Sequence, residues 1–371
     1  MKKITAMLLC LAMLFAFAGC GSKDTGSGST GNNAKKGVSE DILPRLDIKS
    51  EVTVPDDFKI IQALKSVQKG MGLKDDQVVI VTGIGEDSKC YDTAVDLAKN
   101  KGCKVIFADS FGHESFMKQA AQEFPNVQFC HATGTSGKRA GIANFHNAFA
   151  SIYEGRYLAG ITAGMKLNEM IANGEITEDQ AKMGYVGAYT YAEVISGYTS
   201  FFLGARSVCP SVTMDVTFTG SWYDETAEKE GANKLIEDGC VLISQHADSM
   251  GAPTACETAG VPNVSYNGSW EPYFEYATNC VADGTQIDAD WTGTLATGSV
   301  ELSSLGSAVA DGTQEAIDAA TAEIEAGTLH VFDTATFTVD GAEMTSYEAD
   351  VDTDADYTPD HEVVSDGYFH E

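Results

Sequence analysis

Short apolar runs, separated by longer stretches with helical spacing, give the chain its rhythm. The runs QVVIVTG (77–83), CKVIFADS (103–110) and NVQFCHATG (126–134) are rich in Val, Ile and Phe and predict buried parallel strands. Between them, DTAVDLAKN and ESFMKQAAQEF predict helices. The same alternation resumes in KMGYVGAY (182–189), SVTMDVTFTGSW (211–222), GCVLISQHADS (239–249) and GVPNVSYNG (260–268), with EVISGYTSFFLGARSV and DETAEKEGANKLIED as the intervening helices. Strand and helix alternating in this way predict an α/β protein whose parallel sheets are covered by helices on both faces. The two series are joined by residues 147–181, which begin with a helix rich in small residues and read as a crossing between lobes. Beyond residue 279, glycine mixes with helical patterning, and LHVFDTATFTVDG then predicts strand, turn and strand.

The N-terminus has a different pattern. Two lysines precede an apolar run from Ile4 to Phe17, followed by small residues and Cys20. That run is too short to span a bilayer and reads as a signal peptide over residues 1–19. Phe17-Ala18-Gly19-Cys20 resembles a bacterial lipobox, which makes Cys20 the expected lipidation site. Residues 20–50 have the Gly/Ser/Asn composition of a flexible tether. The expected location is the extracytoplasmic face of a cell membrane, with the protein held there by its N-terminal lipid.

The remaining length exceeds one ordinary core and predicts two lobes. Lobe 1 is expected over 51–155 with a return segment at about 270–310, and lobe 2 over 156–269 with the C-terminal part, about 311–371. A hydrophobic content of 43% is enough to fill both. The net charge of −30 repels nucleic acid and anionic lipid surfaces, which excludes both as partners of the folded body. The acidic run from Glu348 to Glu362 lacks the glycine and terminal glutamate of a calcium loop and reads as a solvated segment. Seven cysteines follow Cys20, scattered and without C-x-x-C spacing, several beside apolar runs, so neither a disulfide framework nor a zinc site is expected.

Ligands of open parallel sheets bind beyond the C-terminal ends of the strands. The segments there are DSFGHE (109–114), HATGTSG (131–137), GAYTYAE (187–193), TGSWYDE (219–225), QHADS (245–249) and NGSWEPYF (267–274). QHADS brings His246, Asp248 and Ser249 together, but without the G-x-S-x-G turn that exposes a serine nucleophile, and Ser249 reads better as a helix cap. HExxH, a complete dinucleotide fingerprint and a P-loop are all missing, so no metal or cofactor is expected. What remains is aromatic faces with amide, hydroxyl and carboxylate edges, a combination suited to stacking on and hydrogen bonding to a flat polar heterocycle. A nucleoside-processing enzyme using His246 and Asp248 as acid and base is the alternative from another class. A ligand sensor without a transporter is a third.

The segments VIFADSFGHESFMKQAAQEFPNVQFCHATG, YEGRYLAGITAGMKLN, GYVGAYTYAEVISGYTSFFLGARSV and SWYDETAEKEGANKLIEDGCVLISQHADS, taken in order with the lipobox, resemble the basic membrane protein (BMP) family. The resemblance runs from about Gln77 to Gly341. It implies a type I periplasmic-binding-protein fold, two Rossmann-like lobes joined by a hinge. It also implies a monomeric substrate-binding lipoprotein that delivers a purine nucleobase or nucleoside to an ABC permease, without enzymatic activity. By the same resemblance, Phe111 and Gly112 of SFG and Trp222 of SWYD face the ligand, Gln245, His246 and Asp248 line the pocket, and Trp291 lies on the return to lobe 1. Asn267 stands where the family often has an aspartate. The family normally opens with an additional strand and a Gly-rich loop ending in an aromatic residue, and residues 41–70 show no equivalent.

Overall fold

The computed structural model describes residues 6–11, 59–134, 136–339 and 342–343, without side-chain detail at 6–11 and at a few other positions. Cys20, the expected lipidation site, the expected tether after it and the acidic run 348–362 lie outside the described residues.

In chain order, strand β1 (Ala6–Leu11) is followed by helix α1 (Lys59–Met71), β2 (Val78–Ile84), α2 (Ser88–Lys99), β3 (Val105–Ala108) and α3 (Glu114–Glu123). Then come β4 (Gln128–Ala132), the short α4 (Gly137–Ala140), β5 (Phe145–Ala150), α5 (Ile152–Ala172), β6 (Lys182–Gly187) and α6 (Ala192–Val208). Next are β7 (Thr213–Phe218), α7 (Glu225–Glu237), β8 (Leu242–Gln245), α8 (Gly251–Ala259), β9 (Asn267–Gly268) and α9 (Glu271–Asp283). The chain continues with β10 (Asp290–Gly293), β11 (Val300–Glu301), α10 (Thr313–Glu325), β12 (Thr338–Val339) and β13 (Ala342–Glu343).

Two compact units result. Unit 1 comprises residues 1–149 and 269–293, and unit 2 comprises 150–268 and 294–371. The expected lobe boundary at 155/156 falls inside α5, an uninterrupted 21-residue helix that belongs wholly to unit 2. The return segment likewise ends at Gly293 rather than near 310, since Val300 and Glu301 of β11 pair with Gly268 and Asn267 of β9 in unit 2.

Unit 1 is built on a six-stranded sheet in the order β10-β5-β4-β3-β1-β2. Strands β3, β4 and β5 run parallel. Alternate side chains of β3 serve opposite faces. Val105 and Phe107 join α1 and α9 in one core, while Ile106 and Ala108 join α2 and α3 in the other. Strand β1, from the apolar leader run, pairs antiparallel with both β2 and β3. Strands β5 and β10 were not foreseen from the sequence, where 147–150 were read as part of the inter-lobe crossing.

Unit 2 has a parallel sheet in the order β7-β6-β8. Met183 and Tyr185 of β6 face α5 and α6, and Val186 faces α7 and α8. Helix α5 is buried nearly all round, as its even apolarity requires. A third cluster packs α5 and α6 against α10, Val331, Phe332 and Phe337. Two expectations are corrected here. Residues 260–268 contribute only a bridge from Asn263 to Ile243 and the two-residue β9, because Pro262 and the polar residues after it interrupt the apolar run. Residues 329 and 330 have no regular structure and 331–332 form a turn rather than a strand, and the terminal hairpin is the pair β12–β13.

The free cysteines Cys90, Cys130, Cys209, Cys240, Cys256 and Cys280 are all buried, in keeping with their role as small apolar residues. Cys103 is disulfide-bonded, an exception to the expected set of free thiols.

Asp290 of β10 caps α4, accepting from the backbone N–H of Gly137 at 2.9 Å and of Lys138 at 2.6 Å. This close approach needs glycine at 137, where a Cβ would lie 1.9 Å from the Ala289 carbonyl oxygen. Gly137→Ala is expected to destabilise the protein by about 1–3 kcal/mol, the usual range for an overpacked site. The midpoint of urea denaturation checks it.

Candidate functional site

The most developed cluster of chemistry lies at the C-terminal ends of the strands of unit 2, where β6, β7 and β8 hand over to α6, α7 and α8. The β8 ladder continues one residue beyond the strand through His246 N–H, which donates to the Val186 carbonyl at 2.8 Å. His246 is thereby turned under the start of α6. Its Nε2 lies 2.6 Å from Glu193 Oε1, and its Nδ1 lies 3.3 Å from the Tyr185 hydroxyl. The carboxylate can only accept, so Nε2 carries the proton, and Nδ1 accepts from Tyr185 in the neutral ring. Desolvation lowers the His246 pKa and Arg156 adds to that, while Glu193 opposes both. Helix α6 packs closely over the ring, since a Cβ at Gly197 would stand 2.6 Å from His246 Nδ1.

Beside this ring lies a group of aromatic residues. Tyr189 and Tyr191 stack with centroids 5.0 Å apart, and Trp222 meets Tyr189 at 5.2 Å and Tyr191 at 6.1 Å. Trp222 is also 6.5 Å from the His246 ring. Tyr191 and the neighbouring Tyr223 are exposed.

Two bonds clamp the β7–α7 and β8–α8 loops together. Asp248 N–H donates to the Trp222 carbonyl at 2.8 Å. Glu228, fully buried, accepts from Ser249 N–H at 3.0 Å and from Asp224 N–H at 3.0 Å. Asp224 caps α7 in return, accepting from Thr226 and Ala227 N–H. Gln245 straps the β8–α8 loop from within by donating to the Ser249 carbonyl at 3.1 Å. The N-cap position of α8 is Met250 rather than the expected Ser249, which sits one residue earlier and accepts from Gly251 N–H at 3.0 Å. Ser249 is buried and turned away from His246, whose nitrogens are both engaged elsewhere, so these residues do not form a triad. The Asp248 carboxyl makes no hydrogen bond among the described residues. Crowding by protein atoms, then the charges of Glu193 and Glu228, push its pKa up to about 7 against the pull of Arg156. The residue itself is exposed to solvent.

In unit 1 the corresponding strand ends carry Phe111 and Gly112. Phe111 is 47% exposed, in a short turn between β3 and α3. Glu86 holds that turn, its Oε1 accepting from Gly112 N–H at 2.8 Å and from the Ser110 hydroxyl at 2.5 Å. Gly112 is needed because a Cβ would collide with the Glu86 side chain. Behind it, His131 Nε2 donates to the Ser110 carbonyl at 2.8 Å, and Glu114 accepts from the Ser136 hydroxyl at 2.6 Å and from Asn147 at 3.0 Å. Thr133, beside this web, has φ of +70°, the one positive value outside glycine among the described residues and a strained geometry for a β-branched side chain.

The structure thus gathers Trp222, Gln245, His246 and Asp248 around one set of strand ends and Phe111 with Gly112 at another. Trp291, on β10, packs against Tyr273 at 5.2 Å and Tyr276 at 6.2 Å. It is three strands from β3 in the sheet order, about 14 Å at the usual strand spacing. Asn267 begins β9, and its side chain lies outside the described residues. Tyr189, Tyr191, Glu193, Glu228 and Arg156 were not singled out from the sequence. The pair of tyrosines two residues apart directly after a strand was the available signal for the first two. Among the described residues no group of three His, Cys, Asp or Glu side chains is arranged to hold a metal ion.

Comparison with known proteins places the chain in a family. Residues 61–270 match the family model for Bmp, described as ABC transporter substrate-binding protein PnrA-like. The chain belongs to the Bmp family. Among curated relatives, "Putative ABC transporter glucose-binding protein TsgA13" of Haloferax volcanii is 37% identical over 163 residues, covering 44% of this chain and 38% of the relative. A purine-binding protein of Brucella abortus is 31% identical over 240 residues, covering 60% of this chain and 64% of the relative. Each match therefore spans less than two thirds of the relative's length. Among solved structures, an ABC transporter system solute-binding protein from Conexibacter woesei superposes with a TM-score of 0.53 at 19% identity, covering 66% of this chain and 84% of the other. That likeness establishes the solute-binding-protein fold for this Bmp chain.

Asp248 gives the site a testable pH signature. Its folded pKa of about 7 lies above the ordinary 3.8. Between those values the folded state holds more protons than the unfolded state, so stability falls as pH rises through this window. Asp248→Asn removes the effect, and its stability relative to the unsubstituted protein is expected to increase from about pH 4 to about pH 7 and to level off above that in parallel denaturant titrations.

Proposed function

We propose that this Bmp-family protein is the extracytoplasmic substrate receptor of an ABC importer, anchored to the cell membrane through lipid on Cys20, and that it captures a purine nucleobase or nucleoside for the permease. The observation that carries the ligand class is the cluster of Tyr189, Tyr191 and Trp222 beside the Asp248 carboxyl. Aromatic faces supply stacking area, and a carboxyl with no protein partner supplies an in-plane hydrogen bond to a heterocycle's polar edge. In unit 1 the exposed Phe111 is the aromatic we assign to ligand contact, with Gly112 as the backbone position that sets it. The purine-binding Brucella relative supports the assignment.

His246 enters this reading as a support rather than a ligand contact, because both of its ring nitrogens are already bonded within the protein. Binding without bond-making is the reading we adopt, supported by an imidazole with no free nitrogen to act as a base. Among the described residues no helix is long and apolar enough to cross a membrane, so attachment by the N-terminal lipid is the mode we assign.

Because one relative is named for glucose binding, the deciding experiment sets purines against sugars. Adenine, guanine, adenosine, inosine and glucose are tested for a rise in melting temperature of the exported domain. A purine is expected to stabilise the protein and glucose to leave it unchanged. The reverse result would overturn the ligand assignment. Trp222→Ala is expected to weaken purine binding by about 1–3 kcal/mol, the usual worth of a base–aromatic stack, measured by titration calorimetry.

A further inference from the structure

Arg156, on α5, is buried, yet it forms no ion pair with a carboxylate among the described residues. Its Nη1 donates to the Gln245 carbonyl at 2.6 Å, and its Nε is buried without a hydrogen-bond partner. The guanidinium lies 5.1 Å from the ring centre of Tyr266 and 5.9 Å from that of Tyr185. Tyr266 is wedged in place, since a Cβ at Gly155 would stand 2.2 Å from its ring. A buried charge left without a partner is among the most destabilising features a core can contain, so its presence calls for an electrostatic counterpart.

That counterpart is within reach. Gln245, whose carbonyl Arg156 holds, is the residue before His246. Tyr185, whose ring Arg156 faces, bonds His246 through its hydroxyl. We propose that Arg156 is the internal counter-charge of the strand-end site of unit 2, a positioning residue whose positive charge opposes the pull of the Glu193 carboxylate on the His246 ring.

The charged and titratable groups that act on His246 come from three elements packed against it. Arg156 approaches from α5, Tyr185 from β6 and Glu193 from α6, while Glu193, Glu228 and Arg156 act in turn on Asp248 in the loop after β8. Burial disfavours the imidazolium, Glu193 favours it, and Arg156 opposes Glu193. Without the cation, the carboxylate of Glu193 gains weight in that balance. A charged ring donates from both nitrogens, which replaces the Tyr185 hydroxyl's bond to Nδ1 with a bond in the opposite sense. With the cation in place the ring remains neutral, Glu193 stays fixed, and Asp248 keeps the free carboxyl of the site. The aromatic contacts of Arg156 suit this role, because they hold the guanidinium in position without neutralising it. The relevance of this device to ligand capture rests on the function proposed above, whereas its electrostatics do not.

The test uses the exported domain without ligand. Long-range ¹H–¹⁵N spectra report the tautomer and charge of each histidine, and the His246 signals are assigned by their loss in His246→Asn. Arg156→Gln removes the charge but can still donate to the Gln245 carbonyl, whereas Arg156→Lys keeps the charge and changes the geometry. In the parent protein and in Arg156→Lys, His246 is expected to remain a neutral, Nε2-protonated ring above pH 6. In Arg156→Gln its protonation midpoint should rise by roughly one pH unit, a tenfold gain in proton affinity, as expected for loss of a neighbouring like charge. An unchanged midpoint in Arg156→Gln, or equal shifts in the Gln and Lys variants, would overturn the proposal. Should Arg156→Gln not fold, the fold of Arg156→Lys with an unshifted midpoint supports the charge requirement, and failure of both variants to fold assigns Arg156 to packing alone and overturns it. A failed purine screen leaves these spectra unaffected, so the two readings stand or fall separately.

Discussion

Both nitrogens of His246 are bonded inside the protein, and the direction of each bond follows from Glu193, which can only accept. That single polarity sets much of unit 2. It fixes the imidazole as a strut between β6 and α6, so the first turn of α6 is anchored by a side chain from a neighbouring strand rather than by a cap of its own; its N-cap residue, Tyr191, makes no capping bond. The aromatic faces of Tyr189 and Tyr191 leave the sheet immediately before this anchored turn, and Trp222 rests against them. A face that is to receive a flat ligand gains from being ordered before the ligand arrives, because ordering it during binding would subtract from affinity.

The two units hold their strand-end loops by the same means. In unit 1, Glu86 and Glu114 accept hydrogen bonds from Gly112 and Ser136, and in unit 2, Glu228 does so from Asp224 and Ser249. Carboxylates suit this task because each oxygen can accept more than one backbone donor. Burial alone would raise the Glu114 pKa, yet hydrogen bonds from Ser136 and Asn147 hold it below the usual carboxylate range, so Glu114 is charged while it does this work. Part of the protein's large negative charge is thus internal fastening rather than surface solvation. Composition cannot separate the two.

How much was legible in the sequence depended on whether a feature was local. The apolar runs before DSFGHE and QHADS announced β3 and β8, because strand propensity depends on near neighbours, and the serine expected to cap α8 falls one residue short of the N-cap position. Residues 145–150 were missed as β5 since their apolar positions merge into those of the following helix without a turn signal. The lobe boundary suffered from the same merger. Arg156 lay within YEGRYLAG, where it looked like an ordinary polar interruption of a helix, and its meaning comes from Gln245, 89 residues away. His246 was expected to offer its edge to a ligand. Only the placement of Tyr185 and Glu193 on either side of the ring assigns it to an internal task. Pairings of that kind are set by topology, and a single sequence carries no trace of them.

The depth at which Arg156 sits is governed by helices rather than by the site itself. Helices α5 and α6 lie against one another backbone to backbone, with a Cβ at Gly160 falling 2.0 Å from the Phe201 carbonyl oxygen and one at Gly204 falling 2.0 Å from that of Tyr157. Tyr157 follows Arg156 directly. The thickness of two missing methyl groups therefore sets how far the guanidinium reaches beneath β8, and this spacing acts as a mechanical adjustment of an electrostatic field. Variation in the α5–α6 seam would shift the charge balance around His246 through the position of Arg156.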